Sequence, residues 1–298
     1  MRAVTGETSG SVDTGAPGST VASVIIPAHN EEAVIGRLLD ALGQGLDGRR
    51  LDVIVAPNGC TDRTADIARD HGARVVDVAE ASKIAALNAG DAAATTFPRL
   101  YVDADIVLTG AAVLAVVRTL EEPGVRYASP PGVMDTTGRP WIVRATFELW
   151  SSVPSEGDSP VGSGVYAFDA EGRARFGDFP PIVADDLFAR VLFTKDERRI
   201  VPTEPVVVEA PHTVRALLRR RRRVYAGNMQ VAADPELAKL PGLAERRDPW
   251  WKAVVANPRL APAAVPYVVI NTIAKFQARR EVRGSAPVAW GRDETTRR

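Results

Sequence analysis

Residues 21–27 read VASVIIP, an apolar, β-branched run that ends on a proline. A strand of this kind is buried on both faces, and such strands lie inside parallel sheets covered by helices. The chain then repeats the theme. Residues 31–42 carry Val34, Ile35, Leu38, Leu39 and Leu42 at helical spacing. Residues 51–56 predict a second strand, and 62–71 a helix with Gly72 where a left-handed cap is wanted. Residues 74–78 predict a third strand. Ser82 caps a helix over 83–95, residues 100–103 form a fourth strand, and Thr109 caps a helix ending near Leu120. This βαβαβαβ order predicts an α/β fold with a Rossmann-like, mostly parallel sheet and helices on both faces. Ligands of such sheets sit beyond the carboxyl ends of the strands. That singles out the loops at 27–32, 57–62 and 103–105.

After about Pro130 the pattern loosens. Residues 162–168 (GSGVYAF) predict a strand entered through a glycine turn, 185–192 a short helix, 206–209 a strand, and 213–232 a long basic helix. The tail from Pro235 is proline-rich and irregular, with Trp250 and Trp251 as expected anchors. The first twenty residues are rich in Gly, Ser and Thr without an apolar core, and are expected to form a flexible leader rather than a secretory signal. The apolar stretch 260–273 is too short to span a bilayer and holds Pro262 and Pro266. It is expected to pack on the protein, the alternative being to lie on a membrane surface.

The sharpest chemical feature is Asp103-Ala104-Asp105 at the end of the fourth strand. In an extended chain the two carboxylates point to the same side and suit a hard cation such as Mg²⁺ or Mn²⁺. The alternative is a polar strand-end turn. Asp185 and Asp186 open a helix, where they could cap it or supply a general base. Adjacent carboxylates raise one another's pKa and a helix N-terminus opposes this, so the balance stays open. Arg219 to Arg223 are five consecutive arginines spread around a helix. They could be solvated, grip a diphosphate, or form a lipid-surface or nucleic-acid patch. His212 could complete a metal shell or stay a surface histidine. Lys83 could meet a phosphate or a base, or stay solvated.

These segments have a familiar order. Residues 24–32 (VIIPAHNEE) resemble the opening motif of family 2 glycosyltransferases, 54–64 (IVAPNGCTDRT) their second motif, and 82–90 (SKIAALNAG) their Lys…Leu-Asn-x-Gly helix. Asp103 and Asp105 match their Asp-x-Asp, residues 162–166 their glycine-bearing acceptor segment, and Asp185-Asp186 the carboxylate pair whose second member is the base. The resemblance spans residues 21–224. It implies a GT-A fold, a nucleotide-diphosphate-sugar donor, Mn²⁺ or Mg²⁺, inversion at the sugar carbon and an acceptor hydroxyl on a glycan, a lipid-linked or a small molecule. It implies Pro27, His29, Asn30 and Glu31 at the nucleotide, with Asn58, Lys83, Asp103 and Arg219 also on the donor. Asp105 and Asp103 become metal ligands, with His212 the candidate to join them. Asp186 becomes the base with Asp185 beside it. The expected division is a leader at 1–20, a catalytic domain at 21–232 with its nucleotide-sugar half at 21–130 and acceptor half at 131–232, and a helical or irregular extension at 233–298. The chain departs from the family in having Pro57-Asn58 for the usual Asp-Asp, so uracil is not assumed, and in lacking Gln-x-x-Arg-Trp, which argues against a processive synthase.

Two rivals share parts of this pattern. A sugar nucleotidyltransferase would need a Gly-rich phosphate loop after the first strand, where Ala28-His29-Asn30 stands instead. A non-catalytic sugar-nucleotide-binding protein would not need Asp105 or Asp186, and both are present. The 37 basic and 37 acidic residues cancel, so no overall field draws the chain to nucleic acid or anionic lipid. Cys60 is the only cysteine, which excludes an internal disulfide and suits a reducing cytoplasm with at most peripheral membrane contact.

Overall fold

A computed structural model describes residues 18–153, 162–244 and 248–283. Most of the expected leader and the end of the expected extension lie outside the described residues. The first half runs β1 (Thr20–Ala28), α1 (Ile35–Leu42), β2 (Arg50–Pro57), α2 (Thr64–Asp70), β3 (Arg74–Val75), α3 (Lys83–Ala93), β4 (Arg99–Val102) and α4 (Gly110–Leu120). The second half runs β5 (Tyr127–Ser129), β6 (Gly132–Asp135), α5 (Trp141–Ser152), β7 (Val165–Phe168), α6 (Ala170–Arg173), α7 (Asp185–Val191), β8 (Arg198–Ile200), β9 (Val206–Glu209) and α8 (Val214–Ala233). The chain then forms α9 (Trp250–Ala256) and α10 (Ala261–Arg283).

The main sheet has the order β3-β2-β1-β4-β7-β5-β8. Strands β1 to β4 pair in parallel, β7 is antiparallel to both β4 and β5, and β8 is parallel to β5. A small parallel pair, β6 with β9, stands apart. The mostly parallel α/β sheet with a mixed second half is therefore as expected. β1 is buried on both faces because its side chains alternate between two cores. Ala22, Val24, Ile26 and Ala28 join Leu38 of α1 and Val113 and Val116 of α4. Ile25 points the other way, to Leu87 of α3 and an aromatic cluster around Tyr101, Phe168 and Phe179. Gly90 lets α3 lie flat on β1: a Cβ there would meet Ile25 Cγ2 at 2.6 Å. That close approach outweighs the cost of glycine within a helix.

Ser82 and Thr109 each accept a backbone N–H of the first turn they cap, as expected, and Thr213 does the same for α8. Other boundaries shift. α1 begins at Ile35 rather than residue 31, because Asn30 adopts φ 52° and the Glu31 carbonyl accepts the N–H groups of Val34 and Ile35. α2 begins at Thr64 because the Asp62 carboxylate accepts from both the N–H and the hydroxyl of Thr64. The tail is more regular than its prolines suggested. α10 buries Ala263, Ile270, Asn271, Ala274 and Ala278 against α5 and α8, and it accommodates Pro266. Its segment at 260–273 thus packs on the protein by one face only. Trp250 packs beside Tyr267, but Trp251 is 52% exposed and anchors nothing. Among the described residues no helix is long and apolar enough to cross a membrane.

Candidate active site

The two loops after β1 and β2 are stitched to each other. Asn30 Oδ1 accepts the Thr61 N–H at 2.7 Å, and the Asn30 N–H donates to Cys60 Sγ at 3.3 Å. The Glu31 N–H donates to Thr64 Oγ1 at 2.7 Å, and the Glu32 N–H to Asp62 Oδ2 at 3.1 Å. His29 Nδ1 lies 2.5 Å from the Asn58 carbonyl, so Nδ1 carries the proton. Burial pushes the Asp62 carboxyl up, but hydrogen bonds from Thr64 and Glu32 outweigh it and hold it below the ordinary value. Asn58 is not the outward-facing group that the motif suggested. It is wholly buried, and its Nδ2 donates to the Ala28 carbonyl at 2.9 Å, tying the ends of β1 and β2. Sealed in this way, the side chain braces the loop that follows β2.

Beyond β4 the chain turns at once. The Ile106 N–H bonds the Asp103 carbonyl, so Asp103 and Asp105 do not share one side of an extended strand. Asp103 is half-buried, Ala104 is buried and Asp105 is exposed. Asp103 meets Lys83 Nζ at 2.7 Å, and the same nitrogen lies 3.0 Å from Asp185 Oδ2. Lys83 is therefore neither solvated nor aimed at a vacant pocket; it bridges two carboxylates. Burial works against its charge, but Asp103 and Asp185 outweigh burial and hold its pKa above the ordinary lysine value. Gly164 makes room for this arrangement. It has φ 69°, its carbonyl accepts the Asp103 N–H at 2.9 Å, and a Cβ would meet Ile106 Cγ1 at 2.9 Å and Asp103 Oδ2 at 3.1 Å. Gly164→Ala should cost about 2 kcal/mol from the left-handed backbone alone, lowering the thermal midpoint by about 3 °C. Calorimetric melting of the variant beside wild type checks this.

Asp185 and Asp186 divide sharply. Asp185 is buried and also accepts the Tyr166 hydroxyl at 3.1 Å. Burial chiefly raises its pKa, Lys83 opposes, and Asp186 and Asp103 add to the rise; the net direction is upward. The competition between helix terminus and neighbouring carboxylate is thus decided mainly by desolvation. Asp186 is exposed. One of its oxygens accepts the Leu187 N–H at 2.8 Å, and the other lies 3.7 Å from where a Gly162 Cβ would stand. Neither residue caps α7, whose N-cap Ala184 makes no side-chain bond. Tyr166 is the polar residue that sequence reasoning left without a role. Its signal was its register opposite Tyr101, on which its ring stacks at 5.1 Å.

The remaining expected residues do not converge. His212 is exposed, with Nε2 3.7 Å from Glu209. Among the described residues no three His, Cys, Asp or Glu side chains gather as a metal shell, so His212 is not brought into one with Asp103 and Asp105. The arginine run is split by packing. Arg219 is exposed, Arg222 pairs with Glu281, and Arg221 is buried with Nη2 2.6 Å from Asn271 Oδ1, locking α8 to α10.

The fold and these loops define an α/β domain of the GT-A type, with its polar groups gathered at the carboxyl ends of the parallel strands. The family model described as glycosyl transferase family 2 matches residues 23–171, half of the chain, and the chain belongs to that family. A 4,4'-diaponeurosporenoate glycosyltransferase from Staphylococcus aureus strain MRSA252 is 32% identical over 167 residues, covering 54% of this chain and 42% of that protein. The same enzyme from strain USA300 is 42% identical over 90 residues, covering 28% and 24%. The matches thus span less than half the length of these curated relatives. Among solved structures, the mannosyltransferase PcManGT from Pyrobaculum calidifontis, in complex with GDP-Man and Mn²⁺, superposes with TM-score 0.58 at 21% identity over 90% of this chain and 89% of that one. Glucosyl-3-phosphoglycerate synthase from Mycobacterium tuberculosis, in complex with Mn²⁺, UDP and phosphoglyceric acid, gives 0.53 at 21% identity over 79% and 92%. Both likenesses are of fold.

Proposed function

We propose that this chain transfers a glycosyl group from a nucleoside-diphosphate sugar to an acceptor hydroxyl, with inversion at the anomeric carbon. The observation that carries this reading is the Lys83 bridge, which joins Asp103 of the donor-side loop to Asp185 of α7 within 3.0 Å. Through it, Asp103 and Asp185, distant in sequence, meet at one nitrogen. Asp186 takes the acceptor hydroxyl proton as the oxygen attacks the anomeric carbon. The bond from that carbon to the diphosphate breaks, and the nucleoside diphosphate leaves with its electron pair. Asp185, buried and held by Lys83 and Tyr166, positions the first turn of α7 and hence Asp186.

A divalent cation fits the donor set. Asp103 and Asp105 would supply hard oxygens, the ligand type that Mg²⁺ and Mn²⁺ prefer. When bound, such an ion offsets charge on a departing diphosphate. The exposed Asp105 would be its principal ligand and Asp103, engaged with Lys83, the lesser one. Asp105→Ala should therefore abolish the gain in UDP or GDP affinity that Mn²⁺ confers, measured by titration calorimetry with and without the ion. An undiminished gain would remove Asp105 from this role. Thermal shift with GDP-mannose and UDP-glucose, each with Mn²⁺, identifies the donor, because a ligand that binds only the folded state raises its stability by mass action.

A further inference from the structure

Helix α10 has a second face that stands exposed among the described residues. Val265, Val268, Val269, Ile273 and Phe276 are all exposed, Val265 at 67% and Phe276 at 55%. Their spacing at 3, 4, 7 and 8 residues places them on one stripe, opposite the buried Ala263, Ile270, Ala274 and Ala278. One turn further on, Arg279, Arg280 and Arg283 continue the same stripe, all exposed, with Arg280 stacked 4.3 Å above the Phe276 ring. The acid of this turn, Glu281, points away and pairs with Arg222 of α8. The neighbouring α9 adds exposed Trp251 and Val255, the latter at 73%.

We infer that this face of α10 lies on the surface of a bilayer carrying anionic headgroups. An apolar stripe ending in a basic cluster, on a helix that cannot cross a membrane, is the pattern of a helix resting in the interface plane. Charge decides between lipid and a second copy of this chain. A copy docked on this face would bring its own arginines or its apolar stripe against Arg279, Arg280 and Arg283, and the stripe offers no carboxylate to receive them. Headgroup phosphates do receive them, beside acyl chains that take the valines and Phe276. The zero formal net charge of the whole chain is no obstacle, because the attraction is local to within a Debye length. This inference stands apart from the glycosyl-transfer reading, since its test measures no transfer.

The test is co-sedimentation of the full chain with vesicles of phosphatidylcholine alone and of phosphatidylcholine with phosphatidylglycerol. Wild type should bind the anionic vesicles and bind the neutral ones at least tenfold less, since each basic residue at an anionic surface contributes roughly fivefold. Val269→Asp/Phe276→Asp should lose anionic-vesicle binding by at least tenfold, and so should Arg279→Gln/Arg280→Gln/Arg283→Gln. A milder Val269→Ser/Phe276→Ser pair, with unchanged circular dichroism and melting, separates lost binding from lost folding. Wild type remaining in the supernatant with both vesicles overturns the inference, as does binding that survives either set of substitutions. Self-association of wild type without lipid, dispersed by Val269→Asp, also overturns it and assigns the face to a second copy.

Discussion

Asp186→Asn should lower the rate of glycosyl transfer by a factor on the order of 10² to 10⁴ while leaving donor affinity unchanged. The substitution keeps the shape of the side chain and the hydrogen bond that one Asp186 oxygen receives from the Leu187 N–H. It removes the basicity of the oxygen near Gly162, on the acceptor segment. Asp185→Asn acts differently. It leaves Lys83 with a single carboxylate and disturbs the seat of α7, so it should cost stability more than it alters chemistry in the molecules that remain folded. The pair of variants therefore separates base from support. Single-turnover transfer, donor titration and the anomeric configuration of the product are the three readouts. Near wild-type transfer by Asp186→Asn, or a product that keeps the donor's configuration, would refute the assignment.

Lys83→Met should destabilise the fold by about 3 kcal/mol near neutral pH, the lower end for breaking a buried ion pair, because Asp103 is part-exposed and water can still reach it. The loss should depend on pH with a definite sign. Asp185 has its folded pKa raised above the unfolded carboxylate value of 3.8, so in the window from that value upward the folded state holds more proton than the unfolded one. Its contribution to stability is present below the window and is lost as pH rises through the folded pKa. Lys83 opposes that rise in wild type, so its removal carries the window higher. The raised pKa of Lys83 itself contributes stability that is fully present below the ordinary lysine value of 10.5, hence across the neutral range. Urea unfolding at pH 5 and pH 8 should thus show a larger gap between wild type and variant at pH 8. An equal gap at both values would mean that Asp185 does not respond to Lys83.

The legible parts of this chain were those governed by short-range chemistry. The run of β1, the caps at Ser82 and Thr109, and the strand Val206–Glu209 stand where the sequence puts them, since each depends on neighbours within a turn or on a strong local pattern. β5, β6 and β8 have only three or four residues and exist through pairing with distant strands, so no local pattern announces them. α5 was missed because it starts after Pro140 without a side-chain cap. The carboxylate motifs were legible as residue types; their environments were not. Whether Lys83 is solvated or bridging depends on Asp103 and Asp185, which only the sheet brings to it. The division of labour within the arginine run is not legible, because a sequence does not show that Asn271 returns to claim Arg221. Asn58 reads as a base-contacting amide until the meeting of β1 and β2 is seen to enclose it.

The stitched loops after β1 and β2 have a consequence for how binding is felt thermally. Asn30, Glu31 and Glu32 of one loop already bond Thr61, Thr64 and Asp62 of the other. Their backbone freedom was surrendered when the chain folded. A donor that settles against them need not order them again, so a term that commonly erodes affinity is largely absent from its association. Calorimetry of nucleotide binding should then report an entropy dominated by solvent release and by the nucleotide's own loss of motion, with little from the polypeptide.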